Sequence, residues 1–507
     1  MAWLLLSKSA MSLPAPSSSR PAADQADLVA PLRVMPAPAV PTLLERHLDK
    51  LHAFYDAAPP KPTAGGRFYR KLLALYYRNF IPENASVLEI GCGAGNLLEL
   101  LPNRDVVGVD LSGKQIDAAR ERVPHGTFHV MAGENLQLER QFDFVILSET
   151  LNFAADVQRI MEKAHTVSHR RTRLILNFHS SLWRPLLGLG SALGLRAAHP
   201  PCNWLSATDM RNMLALAGWD VMKQQGRLLM TLPCLGLETI VNRFFAPLLS
   251  QIALTVFQIA RPMQKPLSPK TVSVVIPARN EAGNIEDAVR RIPRLGTRTE
   301  IIFIEGNSTD DTWTEIERVK TRYPDLDIKS MRQSGKGKGN AVREAFEAAT
   351  GEVLMILDAD LTMPPEELGK FYDALISGRA DFANGVRLVY PMEDKAMRFA
   401  NLCANKFFGL AFSWALGQPI KDTLCGTKVL LKTDYERIAA NRGHFGEFDP
   451  FGDFDLIFGA NHLHLKIGDI PIRYRDRTYG ETNIRRWRHG VLLLRMLLLA
   501  ITKIKLI

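Results

Sequence analysis

The stretch SVLEIGCGAGN, residues 86–96, decides how the first half of this chain folds. Ser86–Ile90 is a short apolar run of strand character. It passes without a break into three glycines, Gly91, Gly93 and Gly95. Glycine lets a backbone turn sharply and lets a ligand approach it closely. The pattern predicts a helix over Asn96–Leu101 behind the turn. Downstream, Asp105–Asp110 (DVVGVD) reads as a second strand ending in an acid, and an acid at that tip can accept from two ribose hydroxyls. A dinucleotide fingerprint would need a third glycine at position 96, which is Asn96, so NAD and FAD are disfavoured. Phe142–Ser148 (FDFVILS) and Ala253–Ala260 (ALTVFQIA) continue the strand pattern.

A second strand-and-loop series begins about 180 residues later. Thr271–Pro277 (TVSVVIP) leads into a polar loop with Arg279 and Glu281, and Glu300–Ile304 leads into a loop that opens with Glu305. Glu352–Leu357 (EVLMIL) ends in Asp358-Ala-Asp360. Polar loops at the carboxyl ends of parallel strands are where α/β folds bind ligands. Two carboxylates one residue apart suit a hard cation shared with a diphosphate, because Mg²⁺ takes few carboxylates and keeps phosphate oxygens.

The rest of the chain sets limits. It has 507 residues, 46% of them hydrophobic, and a net charge of +10, which excludes a wholly disordered or fibrous protein. The length predicts two large domains or three smaller ones. The five cysteines, Cys92, Cys202, Cys234, Cys403 and Cys425, form no CxxC pair. A disulfide framework and a structural zinc site are therefore not expected, and a reducing cytoplasm fits. Residues 1–42 hold seven prolines and a serine run, so 1–44 read as a disordered tail. MAWLLLSKSAMSLPAP lacks the basic start and long apolar run of a secretory signal. No stretch reaches the roughly 18–20 uninterrupted apolar residues of a spanning helix. Leu228–Ala260 is apolar but interrupted, and reads as core. RPMQKPLSPK, residues 261–270, reads as a linker, with 263–270 between the domains. Val491–Ile507 reads as a basic, apolar C-terminal helix. Seven basic residues and one acid between Arg477 and Lys505 suit an anionic membrane surface. Nucleic acid is not an expected partner, since no basic stripe carries interleaved aromatics.

The E-x-G-x-G-x-G form over Glu89–Gly95 resembles motif I of class I S-adenosylmethionine-dependent methyltransferases. The resemblance covers about residues 45–262. It implies a seven-stranded Rossmann-like sheet, S-adenosyl-L-methionine held by Glu89, Gly91, Gly93 and Gly95, and Asp110 as the ribose acid. The family often has an Asp near the adenine after the third strand. Here that position is Ala132, with Glu134 as the nearest substitute. No methyl acceptor is legible. His179 and His199 stand alone, and a lone histidine is more often structural.

The second half resembles a GT-A glycosyltransferase of family 2, over about residues 271–490. DADLTMPPE (358–366) is similar to a segment of the polyprenyl-phosphate mannosyl- and glucosyltransferases, and so are GKGKGNAVR (335–343), DTLCGTK (422–428) and DRTYGETN (476–483). By position, the resemblance implies that Pro277, Arg279, Glu281, Glu305, Lys338 and Asp358 hold a UDP- or GDP-linked sugar. Asp358 and Asp360 would take Mg²⁺ or Mn²⁺, with Thr362 where the family has Gln. Arg387, Arg398 and Arg477 would grip an acceptor phosphate, with Arg477 also counted among the catalytic groups.

The expectation is a bifunctional α/β enzyme, a methyltransferase fused to a metal-dependent glycosyltransferase. Its sugar acceptor would be a polyprenyl phosphate or another lipid, and it would sit peripherally on the cytoplasmic face of a membrane. An ionised phosphate acceptor needs no strong base. The alternative is a glycan hydroxyl acceptor with Asp453 or Asp455 as base, beside a methyltransferase half that binds S-adenosylmethionine or acts as a scaffold without turnover.

Overall fold

The computed structural model describes residues 42–57, 64–192, 200, 203, 205–387, 389, 399–444, 452, 454–475, 477, 479 and 486–506. The expected tail up to residue 41, His199, Arg398 and Asp453 lie outside these described residues. No described helix is long and apolar enough to cross a membrane.

Val87–Ile90 is buried at every position and forms β1. It is flanked by β2 (Val106–Asp110), β3 (Thr127–Val130), β4 (Phe142–Ser148), β5 (Ser168–His179), β6 (Trp219–Arg227) and β7 (Thr255–Pro262) in the order β3-β2-β1-β4-β5-β7-β6. Only β7 runs against its neighbours β5 and β6. Apolar side chains leave both faces of this sheet, so each face carries its own core. One is built around Tyr77, Ile116 and Phe257, the other around Val145, Leu176 and Trp219. Central strands covered on both faces read as near-continuous apolar runs, which is why β1 and β4 are legible in the sequence.

The second sheet holds β8 (Val272–Ala278), β9 (Thr299–Glu305), β10 (Asp327–Arg332), β11 (Val353–Ile356), β12 (Phe382–Val386), β13 (Lys428–Leu431) and β14 (Ile467–Pro471). Its order is β10-β9-β8-β11-β13-β12-β14, with β13 antiparallel to β11 and β12. The two seven-stranded sheets are the expected pair of α/β domains.

Three expectations change. The helix expected over Asn96–Leu101 is only a 3₁₀ turn, Leu98–Leu100. Pro102 disfavours the helical conformation at Leu101, which is extended at φ −87° and ψ 145°. The segment read as core, Leu228–Ala260, is core only in part. Leu228 and β7 are buried, but Leu232, Leu235, Phe244, Phe245 and Leu248 are exposed. The C-terminal helix Arg486–Ala500 is not wholly a surface element. Leu493, Met496, Leu497 and Ala500 are buried in the second domain's core, while Val491, Leu494 and Leu498 face outward.

The two domains meet through buried charge. Asp381 accepts from Arg261 at 2.5 Å and from Arg173 at 3.2 Å, and both guanidiniums are almost fully buried. The Lys223 ammonium meets three acceptors, the Asn461 carbonyl at 2.8 Å, the Asn461 Oδ1 at 3.1 Å and the His464 Nδ1 at 3.0 Å. With Nδ1 accepting, the other ring nitrogen of His464 donates to the Phe80 carbonyl at 2.7 Å. Burial drives the His464 pKa well below its ordinary value, and Lys223 adds to the effect, so the ring is neutral.

Candidate active sites

In the first domain the glycine loop leaves β1 with Gly91, Gly93 and Gly95 all at positive φ. A Cβ at Gly91 would lie 2.6 Å from the Thr150 side chain, so only glycine fits there. The loop floors a cavity of about 520 Å³ lined by Arg70, Glu89, Asp110, Gln115, Glu134 and Glu149, among others. Asp110 is fixed by the Gly93 N–H at 2.8 Å and the Ser112 N–H at 3.0 Å. Glu89 is buried and its Oε2 has no hydrogen-bond partner. Burial, then Asp110, pushes the Glu89 pKa well above the usual carboxylate range. An orphaned buried carboxyl beside a second acid fits a cationic, hydroxyl-bearing ligand, as S-adenosylmethionine is. Glu134 lines the same cavity, but its Oε1 accepts from the Ala155 N–H at 2.9 Å and the Asp156 N–H at 3.3 Å, so it also orders that loop.

Glu149, at the end of β4, carries no sequence signal. It sits in the left-handed region at φ 62°, a costly conformation that collects at functional sites. Its Oε1 lies 2.9 Å from the His179 Nε2, and the Tyr69 hydroxyl stands 3.4 Å from that same nitrogen. Burial opposes the Glu149 charge, but His179, Tyr69 and Arg70 together outweigh it and the carboxyl is held below its ordinary range. His179, a lone histidine in the sequence, thus belongs to a cluster beside this cavity.

In the second domain three loops follow β8, β9 and β11, and each holds one non-glycine residue at positive φ: Asn280, Asn307 and Leu361. Asn tolerates that region; a leucine there is strained. These loops bring the expected residues together. Lys338, the first residue of the helix Lys338–Ala348, pairs with Asp358 at 2.6 Å. Burial works against the Asp358 charge, and Lys338, Lys428 and Arg387 together override it, so the carboxyl stays below its usual range. Arg477 bridges two loops, reaching Glu281 at 2.9 Å and Asp360 at 2.7 Å. Thr362 donates to the other Asp360 oxygen at 2.8 Å. Gly426 presses against this group, since a Cβ there would lie 2.0 Å from the Asp358 Oδ2 and 2.4 Å from the Lys338 Nζ. Glu305 is buried and orders its own loop through the Ser308 N–H, Pro277 is half-buried at the end of β8, and Arg279 is exposed beside them.

Among the described residues no group of three His, Cys, Asp or Glu could hold a metal alone. Two ionisable carboxylates with oxygen donors do fit a cation that shares its shell with a diphosphate. Two expected residues have other immediate partners. Arg387 is buried and closed in a fork on Asp422, at 2.7 and 2.9 Å. Asp455 is held by Arg442 at 2.8 Å and by Arg343 at 3.4 Å.

Comparison with known proteins gives the families that these two domains match. Residues 64–224 match a methyltransferase domain, and residues 273–437 match glycosyl transferase family 2. The chain therefore carries a methyltransferase domain followed by a family 2 glycosyltransferase domain. It is 29% identical over 220 residues to a dolichol-phosphate mannosyltransferase of Pyrococcus furiosus, covering 42% of this chain and 59% of that protein. It is 29% identical over 222 residues to an undecaprenyl-phosphate 4-deoxy-4-formamido-L-arabinose transferase of Pseudomonas syringae, covering 43% and 62%. The chain thus spans about three fifths of the length of these two relatives. A solved methyltransferase of Thermotoga maritima superposes with a TM-score of 0.32 at 17% identity, over 43% of this chain and 97% of that one.

Proposed function

We propose that the chain is a bifunctional transferase at the cytoplasmic face of a membrane. Its second domain would move a sugar from a nucleoside diphosphate to a polyprenyl phosphate, and its first would methylate with S-adenosylmethionine. The observation that carries the sugar-transfer reading is the cluster of Lys338, Asp358, Asp360, Glu281 and Arg477 on three strand-end loops. Asp358 and Asp360 would hold Mg²⁺ or Mn²⁺. A divalent cation bound there would neutralise charge on the departing diphosphate. Lys338 stands beside Asp358 to steady the phosphates. Pro277, Arg279, Glu281 and Glu305 line the nucleotide side. Arg477, which is bound to Asp360, would take the acceptor phosphate, which a guanidinium recognises as a fork. Arg387 would act through Asp422, by holding the loop that carries Gly426. The two relatives are named as transferases of dolichol phosphate and undecaprenyl phosphate, which supports this acceptor class.

A phosphate acceptor is already ionised and needs no base. A glycan hydroxyl would need Asp453 or Asp455 to accept a proton, and the pairing of Asp455 with Arg442 and Arg343 counts against Asp455 in that role. In the first domain, Glu89, Gly91, Gly93, Gly95 and Asp110 would hold S-adenosylmethionine, which supplies its sulfonium methyl group. Glu149, ionised and aimed at the cavity, would position the methyl acceptor. The cavity and the orphaned Glu89 favour a cofactor-binding domain over a bare scaffold.

The test is sugar transfer with Mg²⁺ or Mn²⁺ across UDP- and GDP-sugars, with and without a polyprenyl phosphate. Transfer to the lipid that is abolished by Asp360→Ala is the expected result. Transfer unchanged by Asp360→Ala would refute the reading.

A further inference from the structure

Half of the exposed large apolar side chains among the described residues fall in two short stretches of the methyltransferase domain, 181–192 and 228–252. Leu182, Leu186 and Leu189 stand on the first, at 58–64% exposure. Leu232, Phe244 and Leu248 stand on the second, at 48–67%. The stretches form one surface. The Trp183 indole donates to the Ile252 carbonyl at 2.8 Å, and Asn242 accepts from the Leu229 N–H at 2.8 Å, which folds the second stretch back on the end of β6. From there Arg227 donates at 2.7 Å to the Lys505 carbonyl of the C-terminal segment, whose neighbouring helix exposes Val491, Leu494 and Leu498.

Charge on this surface is one-sided. Arg184 and Arg243 are exposed on the two stretches, and Arg495 and Lys503 are exposed on the C-terminal segment that Arg227 joins to them. Its one acid, Glu238, is consumed internally, accepting from the Cys234 N–H at 2.8 Å and the Gly236 N–H at 3.1 Å. Contiguous apolar exposure of this kind marks an interaction site. Apolar side chains rimmed by cations and without free acids match the interface of an anionic bilayer, where apolar groups enter the acyl boundary and cations meet lipid phosphates.

We propose that the methyltransferase domain docks directly on an anionic membrane through residues 181–192 and 228–252. The inference deepens the membrane reading above by naming the surface, and its assay uses neither sugar donor nor lipid acceptor. Failure of docking and failure of sugar transfer are therefore separate results.

The experiment is co-sedimentation of the full chain with phosphatidylcholine vesicles, with and without phosphatidylglycerol, over a salt series. Binding is expected only with phosphatidylglycerol and should weaken with salt. Phe244→Glu with Phe245→Glu should lower the vesicle partition coefficient about tenfold or more, because each removes apolar area from the interface and adds repulsion. Leu216→Glu, at a more exposed position on the helix Ala207–Leu216 outside both stretches, should leave it unchanged. Both substituted sites are solvent-facing, so thermal unfolding should stay at the parent value and separate lost docking from lost folding. Parent-like partition of the double variant would overturn the proposal. So would a parent that ignores vesicles but forms a dimer which the double variant dissociates, since the surface would then belong to a second copy of the chain.

Discussion

Gly426→Ala is the sharpest probe of the sugar-transfer cleft. Gly426 is not in the left-handed region, so the backbone accepts alanine. The obstacle is space: the new Cβ would stand 2.0 Å from the Asp358 Oδ2, against about 3.4 Å for ordinary contact, a shortfall of about 1.4 Å. The Lys338 Nζ, 2.4 Å from the same point, closes the other way out. The carboxylate and the ammonium must therefore move apart, and both belong to the group proposed to hold the diphosphate. A displacement of about 1 Å in a reacting constellation can cost about 10²-fold in rate, so kcat/KM should fall by about that factor or more. The assay is incorporation of labelled sugar from the nucleotide-sugar into polyprenyl phosphate, with the unfolding midpoint measured in parallel. Gly369→Ala, on the helix Leu368–Ile376 with nothing within 4 Å, is the matched control. It should leave transfer unchanged and stabilise the fold by about 0.5–1 kcal/mol. Full transfer by Gly426→Ala would mean that the Asp358–Lys338 arrangement is not what the reaction uses.

Three further outcomes follow from charges described above. Because burial favours the protonated form of Glu89, binding of cationic S-adenosylmethionine should release a proton from it. The calorimetric binding enthalpy should then vary with the buffer's ionisation enthalpy, Glu89→Gln should abolish that dependence, and equal dependence in the variant would refute the role. Asp381→Asn leaves the Arg173 guanidinium without its carboxylate, while Arg261 keeps Asp220 at 3.2 Å. Breaking a buried pair costs about 3–5 kcal/mol, and the surviving Asp220 contact argues for the lower end; urea unfolding that shows less than about 1 kcal/mol would refute the junction's importance. His464 is held neutral, with its folded pKa below the ordinary value of about 6.5, so below that pH the unfolded chain binds more protons and stability falls. The unfolding midpoint should drop between neutral and mildly acid pH more steeply in the parent than in His464→Gln, and equal slopes would contradict the assignment.

Much of this architecture is legible in the sequence. The apolar runs SVLEI and EVLMIL become β1 and β11 because both faces of a central strand are covered, which leaves no polar period to confuse the reading. The glycine loop and the two aspartates are visible because few residue types can do their work. What is not visible has a common cause: it depends on partners far away in the chain. Nothing local marks Arg477 as the bridge between Glu281 and Asp360. Nor does it show that Glu149 and Leu361 adopt left-handed backbones. The expected helix at 96–101 failed at Pro102, a signal present but outweighed by the apolar pattern. Hydropathy cannot say whether an apolar residue of 228–252 faces a core or the outside, because it measures the side chain and not what lies against it.

The Asp381 junction has a practical consequence for anyone who wishes to study either activity alone. Cutting the chain between the domains, near residue 262, would separate Arg173, Lys223 and Arg261 from the carboxylate, the carbonyls and the ring that surround them. Cations built for a closed contact would then stand at a raw edge, and the sheet strands that carry them would bear the strain. An excised half that precipitates or loses activity would report the wound and not the function. The two chemistries are better told apart by silencing one cleft at a time in the intact chain.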